Sequence, residues 1–442
     1  MKPPPAHRAT TAHLQAVYPF ASGGGPAGDG PLIGHDLLGG LFCYDPWELY
    51  RLGRITSPNA LVLGQLGRGK SSFIKTLVWR HLAFGRQAWI IDPKGEYGPL
   101  ASACGTRPLT LAPGGALRLN PLDLPVGAGE QDRADGRVRP RLELTASLLA
   151  SCMGRPLRPE ERTALEIAVR AVSAARTQPV LEHVVEALLE PDAASAAAVG
   201  TDRPGLAADG RVAALELRRL ARGDLAGMFD GPTTAGTDMG AEVVVLDLSA
   251  TFASPALPLV MACATAWLQA RLGRRDGVQR LVVMDEAWAI LADLSTARWA
   301  QSIFKLSRAL GVANVAVVHR VSDLKAAGAD GSAQQKLADG LLSDSETRIV
   351  FGQSPSEAEI TARVLGLTRT ETELVPRLPR GVALWKVGGR SHVVQHALSD
   401  TERLLVDTDA AMTGGGPPPA PGGPERVAAA VAASRRGARH EA

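Results

Sequence analysis

Cysteine is scarce in this chain of 442 residues: Cys43, Cys104, Cys152 and Cys263 stand far apart, with no C-x-x-C pair. That spacing argues against a zinc site or a disulfide framework and predicts reduced thiols in a cytosol. Long apolar runs are missing too. The longest, Ala256 to Trp267, is too short to span a bilayer, and no secretory leader is expected after Met1-Lys-Pro-Pro-Pro. The expectation is a cytoplasmic protein, with any membrane attachment peripheral, at the inner face of the cell membrane, and made through partners. Excess charge is absent as well. A net charge of +3 gives no electrostatic case for nucleic acid, and none against a local basic lining. Lysine is rare, 8 residues against 40 arginines, a bias that points to a GC-rich coding sequence rather than to function. No internal repeat is visible. What is present is the composition of a soluble globular protein, 45% apolar and 21% charged, long enough for two or three domains.

The rest of the chain is organised around Asn59 to Phe73. Within it, Gly64-Gln65-Leu66-Gly67-Arg68-Gly69-Lys70-Ser71 matches G-x-x-x-x-G-K-[ST] at every position. Ala60 to Leu63 reads as a buried strand. Ser72 to Ala83 reads as a helix with Ile74, Leu77, Val78 and Leu82 on one face. Glycines let backbone N–H groups turn inward around a polyphosphate, and the helix behind presents the positive end of its dipole. ATP and Mg²⁺ are the expected ligands. Gly64 to Ser72 would cradle the phosphates, and the Ser71 hydroxyl would sit on Mg²⁺. Lys70 would reach the β- and γ-phosphates, its side chain facing a solvent-filled loop.

Residues 1–58 carry Pro and Gly clusters, and Gly40 to Trp47 reads as a strand and turn whose aromatics are there for packing. Gln87 to Asp92 reads as a second buried strand, running into Pro93-Lys94-Gly95-Glu96-Tyr97. Turns at the carboxyl ends of parallel strands are where ligands bind in open α/β sheets, which makes Glu96 a candidate catalytic group. From about 141 to 230 the spacing is helical: Leu142–Cys152, Pro159–Ala175, Val180–Leu189 and Ala213–Ala221. Strands then resume at Glu242–Leu248, Arg280–Glu286, Val312–Val318 and Arg348–Phe351, with helices at Leu257–Leu272 and Ala297–Leu310. Val382–Val387 and Ser391–His396 form a hairpin around Gly388-Gly389. Alternating strands and helices predict an α/β fold with a mainly parallel sheet. The expected division is an irregular or β segment (1–58), a nucleotide-binding core in two parts (59–140 and 231–412), an all-α insertion (141–230), and a disordered Gly/Pro linker with an Ala/Arg tail (413–442).

Nucleotide hydrolysis needs an acid to hold the metal and a base to orient the attacking water. Asp285 and Glu286 supply both at the end of an apolar strand, Asp285 for Mg²⁺ and Glu286 for the water. His319 and Arg320 end the strand Val312–Val318, where a polar side chain can sense the γ-phosphate; an ordinary polar strand end fits them as well. Arg308 could reach a neighbouring subunit's nucleotide as an arginine finger, and it reads equally as a solvated helix end.

The phosphate loop, Asp92-Pro-Lys-Gly-Glu-Tyr97, the helical stretch ending in Met228-Phe-Asp-Gly-Pro-Thr233, Val243-Val-Val-Leu-Asp-Leu-Ser249 and Val283-Met-Asp-Glu-Ala-Trp288 occur in that order. Together they resemble the conjugative-transfer ATPases of type IV secretion (VirB/TraC-type), in the HerA/FtsK branch of RecA-like P-loop motors. The resemblance spans about residues 30–410. It implies a RecA-like core, a homo-oligomeric, hexameric ring, ATP hydrolysis between subunits, and work on DNA or with membrane-embedded transfer-channel proteins. A HerA-like DNA translocase and a nucleotide-gated assembly factor with slow hydrolysis are the alternatives. Two departures stand out. His319-Arg320 occupies the place where the family usually has glutamine, and the large amino-terminal domain typical of the secretion ATPases has no counterpart in residues 1–58.

Overall fold

The computed structural model describes residues 29–37, 39–123, 134–223, 225–234, 240–252, 254, 256–272, 277–325 and 331–406. The Pro and Gly clusters before residue 29 and the linker and tail after residue 406 lie outside the described residues. Within them, the strands are β1 (Leu32–Asp36), β2 (Gly40–Cys43), β3 (Ala60–Leu63), β4 (Gln87–Asp92), β5 (Leu109–Thr110) and β6 (Val243–Asp247). They continue with β7 (Arg280–Met284), β8 (Val312–Val318), β9 (Thr347–Phe351), β10 (Val382–Val387) and β11 (Arg390–His396).

All lie in one sheet, in the order β2-β1-β11-β10-β9-β3-β8-β7-β4-β6-β5. From β9 to β5 every neighbouring pair is parallel. From β9 outward through β10, β11, β1 and β2 the pairing is antiparallel. This is the mainly parallel α/β sheet with a carboxyl-terminal hairpin that the spacing predicts. Strand β2 falls where Gly40 to Trp47 reads as a strand, whereas β1 and the antiparallel pairing it makes have no counterpart in that reading.

Continuous apolar runs such as Ala60–Leu63 mark strands buried on both faces. Leu61 and Leu63 enter one core with Trp89, Ile91, Val282 and Met284, while Ala60 and Val62 enter the other with Ala88, Ile90, Leu281 and Val283. The second core holds the inward face of the helix Lys70–Ala83, with Phe73, Ile74, Leu77 and Val78 buried as their spacing requires. The first core holds the helices Leu257–Leu272, Leu294–Leu310 and Pro355–Leu365. The helices between Ala134 and Arg222 share that same apolar cluster through Leu148, Leu165 and Leu217.

Where structure and spacing differ, local chemistry accounts for it. The helix after the phosphate loop starts at Lys70, two residues early, because Gly69 takes the left-handed conformation that ends the loop. Gly40 to Trp47 is not all strand and turn. Asp45 accepts the N–H groups of Trp47 and Glu48, Pro46 opens the first turn, and a helix runs over Pro46–Arg51. The strand toward Glu286 stops at Met284, leaving both carboxylates beyond its end.

Two contacts tie distant segments to the phosphate-loop helix. Trp385 of β10 packs edge-on against Phe42, Tyr44 and Phe73, with ring centres 4.9, 5.1 and 5.3 Å away. The packing role expected of the Gly40–Trp47 aromatics is what Phe42 and Tyr44 perform. Arg80 donates to the carbonyls of Ile33 and Ala397, at 3.1 and 2.6 Å, and pairs with Glu402 at 2.6 Å. Trp385→Ala should therefore destabilise the chain by about 3–5 kcal/mol, seen as a lower urea midpoint with an unchanged slope.

Candidate nucleotide site

The loop Gly64–Gly69 connects the carboxyl end of β3 to the helix Lys70–Ala83. Glycine is required at Gly64, where φ is 151° and a Cβ would lie 2.5 Å from that of Phe351. The loop is tethered on both sides. Gln65 N–H donates to Gly352 O at 3.1 Å, and Gly381 N–H donates to Arg68 O at 3.0 Å. No side chain caps the helix start, so its first N–H groups face the loop, an arrangement suited to anions.

Lys70 does not face a solvent-filled loop as expected. It is buried, and its ammonium donates to Gly64 O and, at 2.9 Å, to Gln65 O. Burial pushes its pKa down to about 8, against the pull of Glu286 and Asp285, with the charge of Lys94 adding to the depression. A buried ammonium held on neutral carbonyls, beside open N–H groups, fits a polyphosphate.

The acidic half stands at the end of β7. Asp285 Oδ2 accepts Tyr97 OH at 3.1 Å, and Oδ1 accepts the Glu286 N–H at 3.0 Å. Burial and the neighbouring Glu286 charge raise Asp285 to about 6. Glu286 behaves oppositely. Burial alone would raise it, but hydrogen bonds from His319 and Lys94 outweigh that and hold it at about 2. Its Oε1 meets Lys94 Nζ and, at 2.7 Å, His319 Nε2; Oε2 accepts Trp288 Nε1 at 2.5 Å. Glu286 is also the one non-glycine with positive φ among the described residues, at φ 49° and ψ 46°. Strain of that kind gathers where a side chain must be aimed.

The turn after β4 completes the site. Buried Asp92 accepts the N–H groups of Lys94, Gly95 and Tyr97, at 3.2, 2.8 and 3.0 Å. One carboxylate thus fixes the backbone that carries Lys94, Glu96 and Tyr97. A cleft of about 630 Å³ lies between the loop and these groups, within the roughly 300–1,000 Å³ typical of small-molecule sites.

Of the expected residues, the structure brings Leu66, Gly67, Gly69, Lys70, Ser71, Ser72, Glu96, Asp285, Glu286 and His319 to this cleft. Gly64, Gln65 and Arg68 belong to the loop but do not line it. Arg320 is exposed beside His319, outside the lining. Arg308 sits apart. It ends the helix Leu294–Leu310 ahead of β8, at the amino-terminal edge of the sheet, whereas the phosphate loop lies at the carboxyl-terminal edge. Lys94, Tyr97 and Trp288 join the site without having been singled out, although each stands inside a stretch already notable for its acidic motif. His396, Arg380 and Arg403 also line the cleft, and nothing local in their sequence marks them.

Ser71 and Asp285 face the same cleft, a hydroxyl and a carboxylate that suit Mg²⁺, an ion that keeps several waters and uses few protein ligands. Fold and site together give the RecA-like P-loop NTPase fold with a candidate nucleotide cleft. The AAA-like domain family matches residues 53–120. Among solved structures the chain is similar to VirB4 of Thermoanaerobacter pseudethanolicus, with a TM-score of 0.68 and 22% identity over 86% of this chain and 100% of that one. It is also similar to the plasmid coupling protein TrwB in complex with ADP and Mg²⁺, with a TM-score of 0.54 and 15% identity over 78% and 85%. The TrwB complex with a non-hydrolysable ATP analogue gives 0.54 and 15% over 85% and 97%. No curated protein sequence matches. The chain thus shares its fold with proteins of conjugative transfer.

The Asp285 shift has a testable sign. Its folded pKa lies above the unfolded value of about 3.9, so its contribution is favourable at low pH and is lost as pH rises through about 6. Without nucleotide or Mg²⁺, Asp285→Asn should raise stability at pH 8 by about 2–3 kcal/mol, and the gain should vanish by pH 4, read from denaturant midpoints.

Proposed function

We propose that this chain binds and hydrolyses ATP with Mg²⁺ as a motor subunit of a conjugative-transfer or type IV secretion machine. The observation that carries the reading is the placement of Glu286, an ionised carboxylate held by backbone conformation and three donors, in the cleft that Lys70 and Ser71 also line. Lys70 would bind the β- and γ-phosphates, and the helix N-terminus their oxygens. Ser71 and Asp285 would hold Mg²⁺, which supplies charge neutralisation on the phosphates when bound. Glu286 would orient the attacking water, and His319 would keep that carboxylate aimed. Glu96, within the electrostatic reach of Lys70, would tune the charge of the cleft.

The likeness in fold to VirB4 and TrwB supports work in conjugation, with DNA and membrane-embedded channel proteins as partners. No helix among the described residues is long and apolar enough to cross a membrane. Contact with a channel would be made at the cytoplasmic face, through such partners. A ring of six copies would place Arg308 at a neighbour's nucleotide. Within one chain β8 separates Arg308 from the site by seven residues, roughly 20 Å at the usual rise per residue. Arg320, exposed near the cleft mouth, is the second choice for that role. The division into a two-part core, a helical insertion at 141–230 and a tail follows the same reading.

Lys70→Ala should abolish turnover, and Glu286→Gln should keep nucleotide affinity while lowering kcat at least a hundredfold. Steady-state hydrolysis and equilibrium nucleotide binding together check both. Full turnover in folded Lys70→Ala would overturn the site.

Mixing variants tests the ring. Arg308→Ala should bind ATP and hydrolyse it poorly, and adding inactive Lys70→Ala should restore part of the activity. Some mixed interfaces would pair an intact phosphate loop with an intact Arg308. Mixed oligomers without restored activity would remove Arg308 from the site.

A further inference from the structure

Glu286 is occupied by more donors than its role in hydrolysis needs. Lys94 Nζ and His319 Nε2 converge on the same oxygen, Oε1, and lie 3.3 Å from each other. An attacking water would need one of those positions. We propose that Lys94 is a latch on Glu286, holding Oε1 in the geometry seen here and exchanging it for the γ-phosphate when a nucleoside triphosphate occupies the cleft. The proposal rests on the nucleotide-site reading above and adds a residue that distinguishes triphosphate from diphosphate.

If the contact opens, Lys94 is the member that moves. Glu286 is pinned by its left-handed backbone, by Trp288 on Oε2 and by burial that leaves its side chain 4% exposed. The Lys94 side chain is 29% exposed. Its backbone is fixed by Asp92, so a flexible four-carbon stem swings from a stationary base. The direction of movement follows from charge. The Lys94 ammonium shares the cleft with that of Lys70 and repels it. A γ-phosphate offers both ammoniums more negative charge than the single carboxylate can.

His319 makes the exchange affordable. When Lys94 leaves, the His319 Nε2 donor at 2.7 Å stays on Oε1, so the buried carboxylate is not stranded, which would be costly. Oε1 regains a free acceptor site, on the side facing the cleft, for a water. A diphosphate lacks the group that draws Lys94 away and would leave the latch closed.

Trp288 gives a readout independent of turnover, because its indole N–H shares the carboxylate that Lys94 releases. The full-length chain would be titrated with Mg²⁺ and either a non-hydrolysable ATP analogue or ADP, following tryptophan emission, with Trp288→Phe identifying the Trp288 component. The expected result is that the analogue changes the Trp288 emission and ADP does not. Lys94→Met should lose that response and bind the analogue about tenfold more weakly, with ADP affinity unchanged. Lys94→Arg, which keeps the charge, should recover part of both. Equal losses for ADP and the analogue would show a structural role and overturn the latch. So would a Lys94→Met protein that keeps the native preference and the Trp288 response. Failure of the native chain to bind either nucleotide would instead overturn the site reading itself.

Discussion

Lys70, Lys94, Asp285 and Glu286 bring like and unlike charges together in one half-buried cleft, and charges so placed persist only when each is matched by a group that cannot drift. The parallel register supplies the matching. Asp285 and Glu286 follow β7, Lys94 follows β4, His319 follows β8 and Lys70 follows β3, so four neighbouring strands deliver these five groups to the same edge. Backbone groups then fix the geometry: two loop carbonyls hold Lys70, and Asp92 gathers the turn that carries Lys94. The different fates of the two acids follow. Asp285 is buried beside the Glu286 charge and is raised to about 6, because a phenol and a peptide N–H offset that only in part. Glu286, one residue on, is met by donors from Lys94, His319 and Trp288 and stays ionised.

Much of this was legible from spacing. The phosphate loop, the apolar strands from Gln87 to Val387 and the helices at Pro159–Ala175 and Leu257–Leu272 follow from periodicity, because strands buried on both faces and amphipathic helices leave strong local patterns. The helix Pro355–Leu365, too, carries local start and stop signals: Ser354 caps it, Pro355 opens it, and Gly366 at φ 65° closes it. Others carried no local signal. Strand β1 is five residues whose place is set by pairing with β11, more than three hundred residues away. Arg380 just before the hairpin, His396 at its end and Arg403 beyond it reach the cleft, and no motif announces a contact made by tertiary packing. Burial of Lys70 was likewise invisible, since the loop pattern states which residue reaches the phosphates but not where its ammonium rests.

The antiparallel side of the sheet does a different job from the parallel side. Strands β10, β11 and β1 contribute few groups to the cleft, yet they brace the helix that begins it. Trp385 presses on Phe73 from one side, and Arg80 binds carbonyls before β1 ends and after β11 from the other. The phosphate loop is therefore held from behind by the first and last described elements of the fold.

That strand order has a consequence for synthesis. In the sheet β3 lies between β8 and β9, so neither partner of the phosphate-loop strand exists until Val312–Val318 and Thr347–Phe351 have been made. At about 5–20 residues per second, an emerging chain carries an unpaired β3 for something like 12 to 50 seconds. During that interval β4, β6 and β7 can already assemble with one another, as can the helices from Ala134 to Arg222, whose contacts are close in sequence. The growing chain thus acquires its acidic strand first and its phosphate loop last, and its binding cleft closes only when the final third has left the ribosome.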